Sequence, residues 1–185
     1  MFIKQRFVLQ SLLLITAVLM LPPPAVPAQQ TNQASIIKEI RHELATLPYY
    51  GVFDWLQFEV SPDNRVTLSG QVVRPSTRAD AEREVGRIDG VRSVDNQIEV
   101  LPVSSHDDRL RIAIYRTIYG WNSPLFRYAH QRVPSIHIIV NRGRVTLKGV
   151  VDSTGDAQIA YIRARGVSGA FEVRNELQTA RERAR

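Results

Sequence analysis

The stretch RVTLSGQV, residues 65–72, is written again as RVTLKGVV, residues 144–151, 79 positions later. The same offset relates Val66 to Val145, Gly70 to Gly149, Val72 to Val151, Ala81 to Ala160, Gly90 to Gly169, Val94 to Val173 and Asn96 to Asn175, without a gap. Upstream the offset becomes 80, where Leu56, Phe58 and Val60 match Ile136, Ile138 and Val140, because the turn SPDNR is one residue longer than NRGR. Further back Ile36, Ile40 and Leu44 match Leu110, Ile114 and Ile118 at an offset of 74. The chain uses one module twice.

The periods inside the module predict its elements. Ile36, Ile40, Leu44 and Leu47 recur at three and four residues, the signature of one helical face. LQFEV and VTLSGQV alternate in steps of two around a turn rich in Pro, Asp and Asn, as an antiparallel hairpin does. Gly70 and Gly149 fall in the inward series of the second strand, where a missing side chain lets a helix pack closely or a strand bend. PST and DSTGD supply helix-starting residues. Ala81, Val85 and Ile88, matched by Ala160, Ala164 and Val167, form the inner stripe of a second helix. Gly90 and Gly169 provide a left-handed helix exit, and VRSVDNQIEV and AFEVRNELQ read as a third strand. The fold class is therefore α+β: two tandem α-β-β-α-β modules, each a three-stranded mixed sheet with two helices on one face, the parallel pair joined by a right-handed crossover. Leu101 to Arg109 is the one obvious linker, and Asp107 and Asp108 beside it read as caps at a helix start.

Of 185 residues, 44% are hydrophobic and 23% charged, a globular composition. Residues 1–28 read separately. Lys4 and Arg6 precede an apolar run from Phe7 to Leu21, then LPPPAVPA, with small residues Val26 and Ala28 before Gln29. That is the pattern of a cleavable secretory signal peptide, with an uncleaved anchor as the alternative. Cysteine is absent, which excludes disulfides, thiolate metal sites and a lipid-modified cysteine. His42, His106, His130 and His137 have no metal-ligand spacing, and His137 alternates with Ile136 and Ile138 as a residue on the strand face opposite the core. No G-x-S-x-G elbow or glycine-rich phosphate loop occurs. The chain is expected to be no enzyme, with no catalytic residue, cofactor, metal or small-molecule substrate.

VTLSG, a helix, GV and V-x-N in that order resemble the BON domain of bacterial envelope proteins. The resemblance spans residues 35–103 and 107–179, leaving 180–185 as a basic tail; Ala170 replaces the valine usual after the glycine. It implies exported, non-enzymatic proteins of the periplasm that associate with phospholipid membranes and support envelope integrity under osmotic or other stress. Gly70, Gly90, Gly149, Gly169, Asn96 and Asn175 are its structural positions here.

Charge separates the two copies. Residues 36–103 carry a net −3, residues 106–179 a net +5 and the tail +2. A basic module on an exported protein would meet anionic lipid headgroups, at roughly 1 kcal/mol per Lys or Arg near the surface. Nucleic acid could use the same charge, but export removes it as a partner. Arg109, Ile112, Arg116 and Tyr119 fall on a helix face away from the core stripe. Trp121, Phe126, Arg127, Tyr128 and Arg132 follow, pairing rings suited to the headgroup layer with charges suited to phosphate. These nine residues are the candidate lipid-binding set. The competing expectation is that the aromatics close the core or face the other module while the arginines are merely solvated. In repeat one LPYYGVFDWL lacks Arg and Lys, which points to packing for Tyr49, Tyr50, Phe53 and Trp55. The alternative function is a periplasmic protein-binding or chaperone-like module engaging an envelope protein through strand edges or aromatic loops.

Overall fold

The structure, a computed structural model, describes residues 28–183; the signal-peptide expectation, residues 1–28, lies outside them but for its last residue. The order is α1 (Ala28–Thr46), β1 (Trp55–Val60), β2 (Arg65–Val72), α2 (Pro75–Gly86), β3 (Ser93–Asn96), β4 (Glu99–Val100), α3 (Ser105–Tyr119), a 3-10 turn (Phe126–His130), β5 (Ile136–Asn141), β6 (Arg144–Val151), α4 (Thr154–Arg165), β7 (Glu172–Thr179) and α5 (Ala180–Arg183). The first sheet runs β1-β2-β3 with β4 also on β2, and the second β5-β6-β7. In each the hairpin is antiparallel and the last strand joins in parallel. Two separate α+β modules result, each with its own core. Ile36, Ile40, Val66, Leu68, Val72, Ala81 and Val85 fill the first, and Leu110, Ile114, Ile118, Ile136, Ile138, Val145, Leu147 and Ala160 the second.

Several local expectations change. Gly70 and Gly149 make room for a neighbouring strand, not a helix. Both have positive φ, 120° and 121°, and a Cβ would stand 1.9 Å from the carbonyl oxygen of Trp55 or Ser135. Gly90 and Gly169 have positive φ, but four residues beyond the end of the helix. Arg74 precedes α2 without a side-chain cap, Pro75 opening the helix, whereas Ser153 caps α4 by accepting from the Asp156 amide. The third strand of module one is broken between Asn96 and Glu99, where β7 is continuous. Asn96 and Asn175 play one role: each side-chain amide donates to a carbonyl of the second helix, Arg78 or Ala157, and each Oδ1 accepts from the amide two residues on. The linker is shorter than read, since buried Leu101 donates to the Val72 carbonyl and α3 starts at Ser105.

Asp107 is not the cap of α3; Ser104 is. Asp107 is 1% exposed and accepts from the amides of Arg142 (2.7 Å) and Gly143 (2.9 Å), tying the helix to the β5–β6 turn. Asp108 pairs with the buried Arg111 at 2.6 Å. Gln33, the repeat-one counterpart of Asp107, reaches the equivalent turn at the Ser61 carbonyl.

The modules dock through the segment before β1. The Ile138 amide donates to the Val52 carbonyl at 2.8 Å, and Phe53 enters the second core edge-on to Tyr115. His137 does lie on the sheet face away from its own core, but Tyr50 and Trp55 of module one bury it. Its Nδ1 donates to the Asp54 carbonyl at 2.6 Å, and burial pulls its pKa down to about 4, so the ring is neutral. Burial also raises the Asp54 carboxyl, whose oxygens accept from the amides of Val73 and Gly51. The aromatic segment of repeat one thus makes this interface, except that Tyr49 is exposed beneath Arg74.

Candidate functional site

The nine candidate residues divide into two groups. On α3 the inward stripe Leu110, Ile114 and Ile118 fixes the rotation of the helix, so Arg109, Ile112 and Arg116 stand outward at spacings of three and four. Ile112 is 45% exposed. Arg109 and Arg116 have no ion-pair or hydrogen-bond partner among the described residues, so both guanidiniums keep their full donor fork. Trp121, just past the helix, is 83% exposed, its ring 5.0 Å from half-buried Phe126, which meets His130 edge-on.

The other four bind groups of the protein itself, the two tyrosines buried and the two arginines still exposed. Tyr119 is buried, and its hydroxyl donates to the Ile136 carbonyl (2.7 Å) while accepting from the Ile136 amide (3.0 Å). Burial raises its pKa. Tyr128 is also buried; it donates to Asp156 (3.0 Å) and accepts from the Asp152 amide (2.8 Å), and burial raises its pKa too. Arg127 lies over the Tyr128 ring and pairs with Asp156 at 2.6 Å. Burial alone would push the Asp156 carboxyl up, but hydrogen bonds from Ser153, Arg127 and Tyr128 hold it below the usual range. Arg132 donates to the carbonyls of Ala45, Thr46 and Leu47, satisfying the unpaired C-terminal end of α1 across the module boundary. Tyr119 and Tyr128 therefore leave the surface set because the core takes them. Arg127 and Arg132 are committed to α4 and α1.

The structure adds residues to the exposed group. On α4, Asp156, Ala157, Ala160 and Ala164 face inward, which turns Ile162 (60% exposed) and Arg165 outward on the same helical layer as α3. Arg163 joins the two helices by donating to the Thr117 carbonyl. Phe171, 78% exposed, stacks on His106 where α3 begins. A signal for these was present in the repeat: Ile112, Ile162 and Phe171 stand where repeat one has Lys38, Arg83 and Arg92, all exposed. Three solvated cations have become apolar groups without becoming buried.

Unpaired arginines interleaved with protruding apolar groups suit a surface that is charged outside and oily just beneath. Among the described residues no helix is long and apolar enough to cross a membrane, and no group of His, Asp or Glu is placed to hold a metal ion.

A family model described as the BON domain matches residues 32–102 and 125–181. No curated protein matches the chain. Among solved structures, the C-terminal domain of CdsD, the structural protein of the type III secretion system of Chlamydia trachomatis, is 11% identical with a TM-score of 0.30, covering 77% of this chain and 96% of its own. A second CdsD structure is 14% identical with a TM-score of 0.30, covering 81% of this chain and 95% of its own.

Proposed function

The chain belongs to the BON domain family, whose members associate with phospholipid and the cell envelope, and on that premise we propose that it is a non-enzymatic envelope protein whose second module rests on anionic phospholipid. Residues 35–103 and 107–179 are its two domain units. The first braces the second through the Val52–Ile138 and Arg132–α1 contacts. The second presents Arg109, Ile112, Arg116 and Trp121, extended by Ile162 and Arg165, to the headgroup layer. The observation that carries the reading is the coincidence, on one helical layer, of guanidiniums without partners and apolar side chains that gain nothing from exposure. Each cation near the surface contributes roughly 1 kcal/mol, so two or three give weak, salt-sensitive attachment. The role is support of envelope integrity under osmotic or other stress. Placement in the periplasm rests on the signal-like segment 1–28.

Cosedimentation with phosphatidylglycerol or cardiolipin vesicles tests it. Pelleting at low salt that falls at high salt, and falls again in an Arg109→Ser/Arg116→Ser variant, is the expected result. A chain that ignores such vesicles, or pellets undiminished after both substitutions, overturns the proposal.

A further inference from the structure

Beyond lipid contact, the two modules treat the outer edge of their first strand differently. The ladder pairs Glu59 with Thr67 and Gln57 with Ser69, and the Ser61 amide donates to the Arg65 carbonyl. By antiparallel alternation, the backbone groups of Leu56, Phe58 and Val60 therefore point away from β2. Their counterparts on β5 are Ile136, Ile138 and Val140, and in module two each is occupied. The Tyr119 hydroxyl serves both backbone groups of Ile136, the Val52 carbonyl accepts from Ile138, and Arg111 donates to the Val140 carbonyl at 2.6 Å. In module one, among the described residues, only the ends are covered. Tyr50 and Leu56 both pack against the first core at one end, and Gln33 reaches the Val60 carbonyl at 3.5 Å at the other. Among the described residues Phe58 at the centre has no counterpart of Val52, and β1 pairs with β2 alone.

The open edge faces a groove of about 900 Å³. One wall is α1 at Ile37 and Arg41, and the other is the sheet of module two at Lys148, Val150 and Glu176. The groove continues from the module interface, since Trp55 lines it while packing on His137. The six residues of β1 offer an edge of ~20 Å, the length of one added strand. The charged lining is balanced overall, Arg41 and Lys148 against Glu176 and Glu182, but it is not evenly committed. Lys148 pairs with Glu176 at 2.6 Å and the Glu182 carboxylate is held by Thr179, whereas Arg41 on the α1 wall has no partner among the described residues and is left for an incoming carboxylate. The outer edge of β7 is a poorer template, because Glu172, Arg174 and Glu176 stud that strand with charge.

We propose that the groove between β1 and module two receives an extended, acidic segment of a partner protein, which adds to β1 as a strand centred on Phe58 and sets a carboxylate against Arg41. The occupant repeats on module one what the Val52 segment does for module two within the chain.

Amide hydrogen exchange on the full chain tests this with two octapeptides, one alternating valine with glutamate and the other valine with lysine. In the free chain the Phe58 and Val60 amides exchange faster than those of Gln57 and Glu59. The glutamate peptide slows Phe58 and Val60 by about tenfold at concentrations well above its Kd, while the lysine peptide does not. Arg41→Glu, a change at an exposed helix position, reverses the preference. Protection of Phe58 in the free chain, slowing by neither peptide, slowing at β7 instead of β1, or an unchanged preference in Arg41→Glu would each overturn the proposal.

Discussion

The two modules share a ladder register, a pair of strained glycines and a pair of strand-to-helix asparagines, yet they differ wherever the fold leaves a choice. Module one has an open strand edge and polar Ser35, Lys38 and His42 on its first helix; module two has a sealed edge and Arg109, Ile112 and Arg116 at the same positions. What is common builds the sheet and its helical cover, and what differs lies on surfaces. Duplication followed by surface divergence leaves the physics of folding as a control for the physics of function: any property due to the fold must appear in both modules, and any property due to the site in one.

The glycines give the largest effect and the strictest test of equivalence. Gly70→Val and Gly149→Val each force a Cβ into a backbone carbonyl at a φ that L side chains rarely adopt, so each costs about 3 kcal/mol or more. Urea unfolding should show comparable losses. A loss in only one module would break the comparison.

His137 comes next, because repeat one has Gln57 at its position. The folded pKa of about 4 lies below the ordinary 6.5, so the unfolded chain binds a proton that the folded chain refuses. Stability is full above pH 6.5 and falls as pH drops toward 4, by about 3 kcal/mol in all. The buried Asp54 carboxyl, with its raised pKa, acts in the opposite sense and blunts the loss. Urea titrations across that window on His137→Gln should give a flatter profile than the parent chain; an equal slope would remove His137 as the cause.

Restoring polarity at the apolar positions sharpens the functional half. Ile112→Ser/Ile162→Ser should weaken vesicle partitioning by about tenfold with little change in unfolding midpoint, since both side chains are already exposed. The smallest effect is Arg132→Ala, which frees the α1 carbonyls at a largely solvated site. It should cost about 1 kcal/mol, read as faster exchange of the amides in the Val52–Ile138 contact.

The repeat made the fold legible, because strand and helix periods were written twice and each copy checked the other. Val66, Leu68 and Val72 alternate cleanly because one sheet face is covered by helices. The role of Gly70 was harder to read, since a bend and a close helix leave the same mark in a sequence, and only the Trp55 carbonyl separates them. Half of the candidate site was legible for a similar reason. The stripe of α3 fixes which way Arg109, Ile112 and Arg116 point, but a 3-10 turn has no long period, and nothing in YGWNSPLFRYAHQR says that Tyr128 turns inward to Asp156 while Trp121 turns out. Arg132 was illegible because its partners are backbone carbonyls 85 or more residues away. Ile162 and Phe171 could have been found by asking at which offset-related positions a charge in one copy becomes an apolar residue in the other.

The chain has two tryptophans, so Trp55→Phe leaves Trp121 as the sole indole reporter at the proposed membrane face. Its emission on titration with phosphatidylglycerol vesicles is the most direct measurement. The account predicts a blue shift that high salt reverses and that Arg109→Ser/Arg116→Ser greatly reduces. Emission unmoved by the vesicles, or a shift indifferent to both salt and the two arginines, would contradict it.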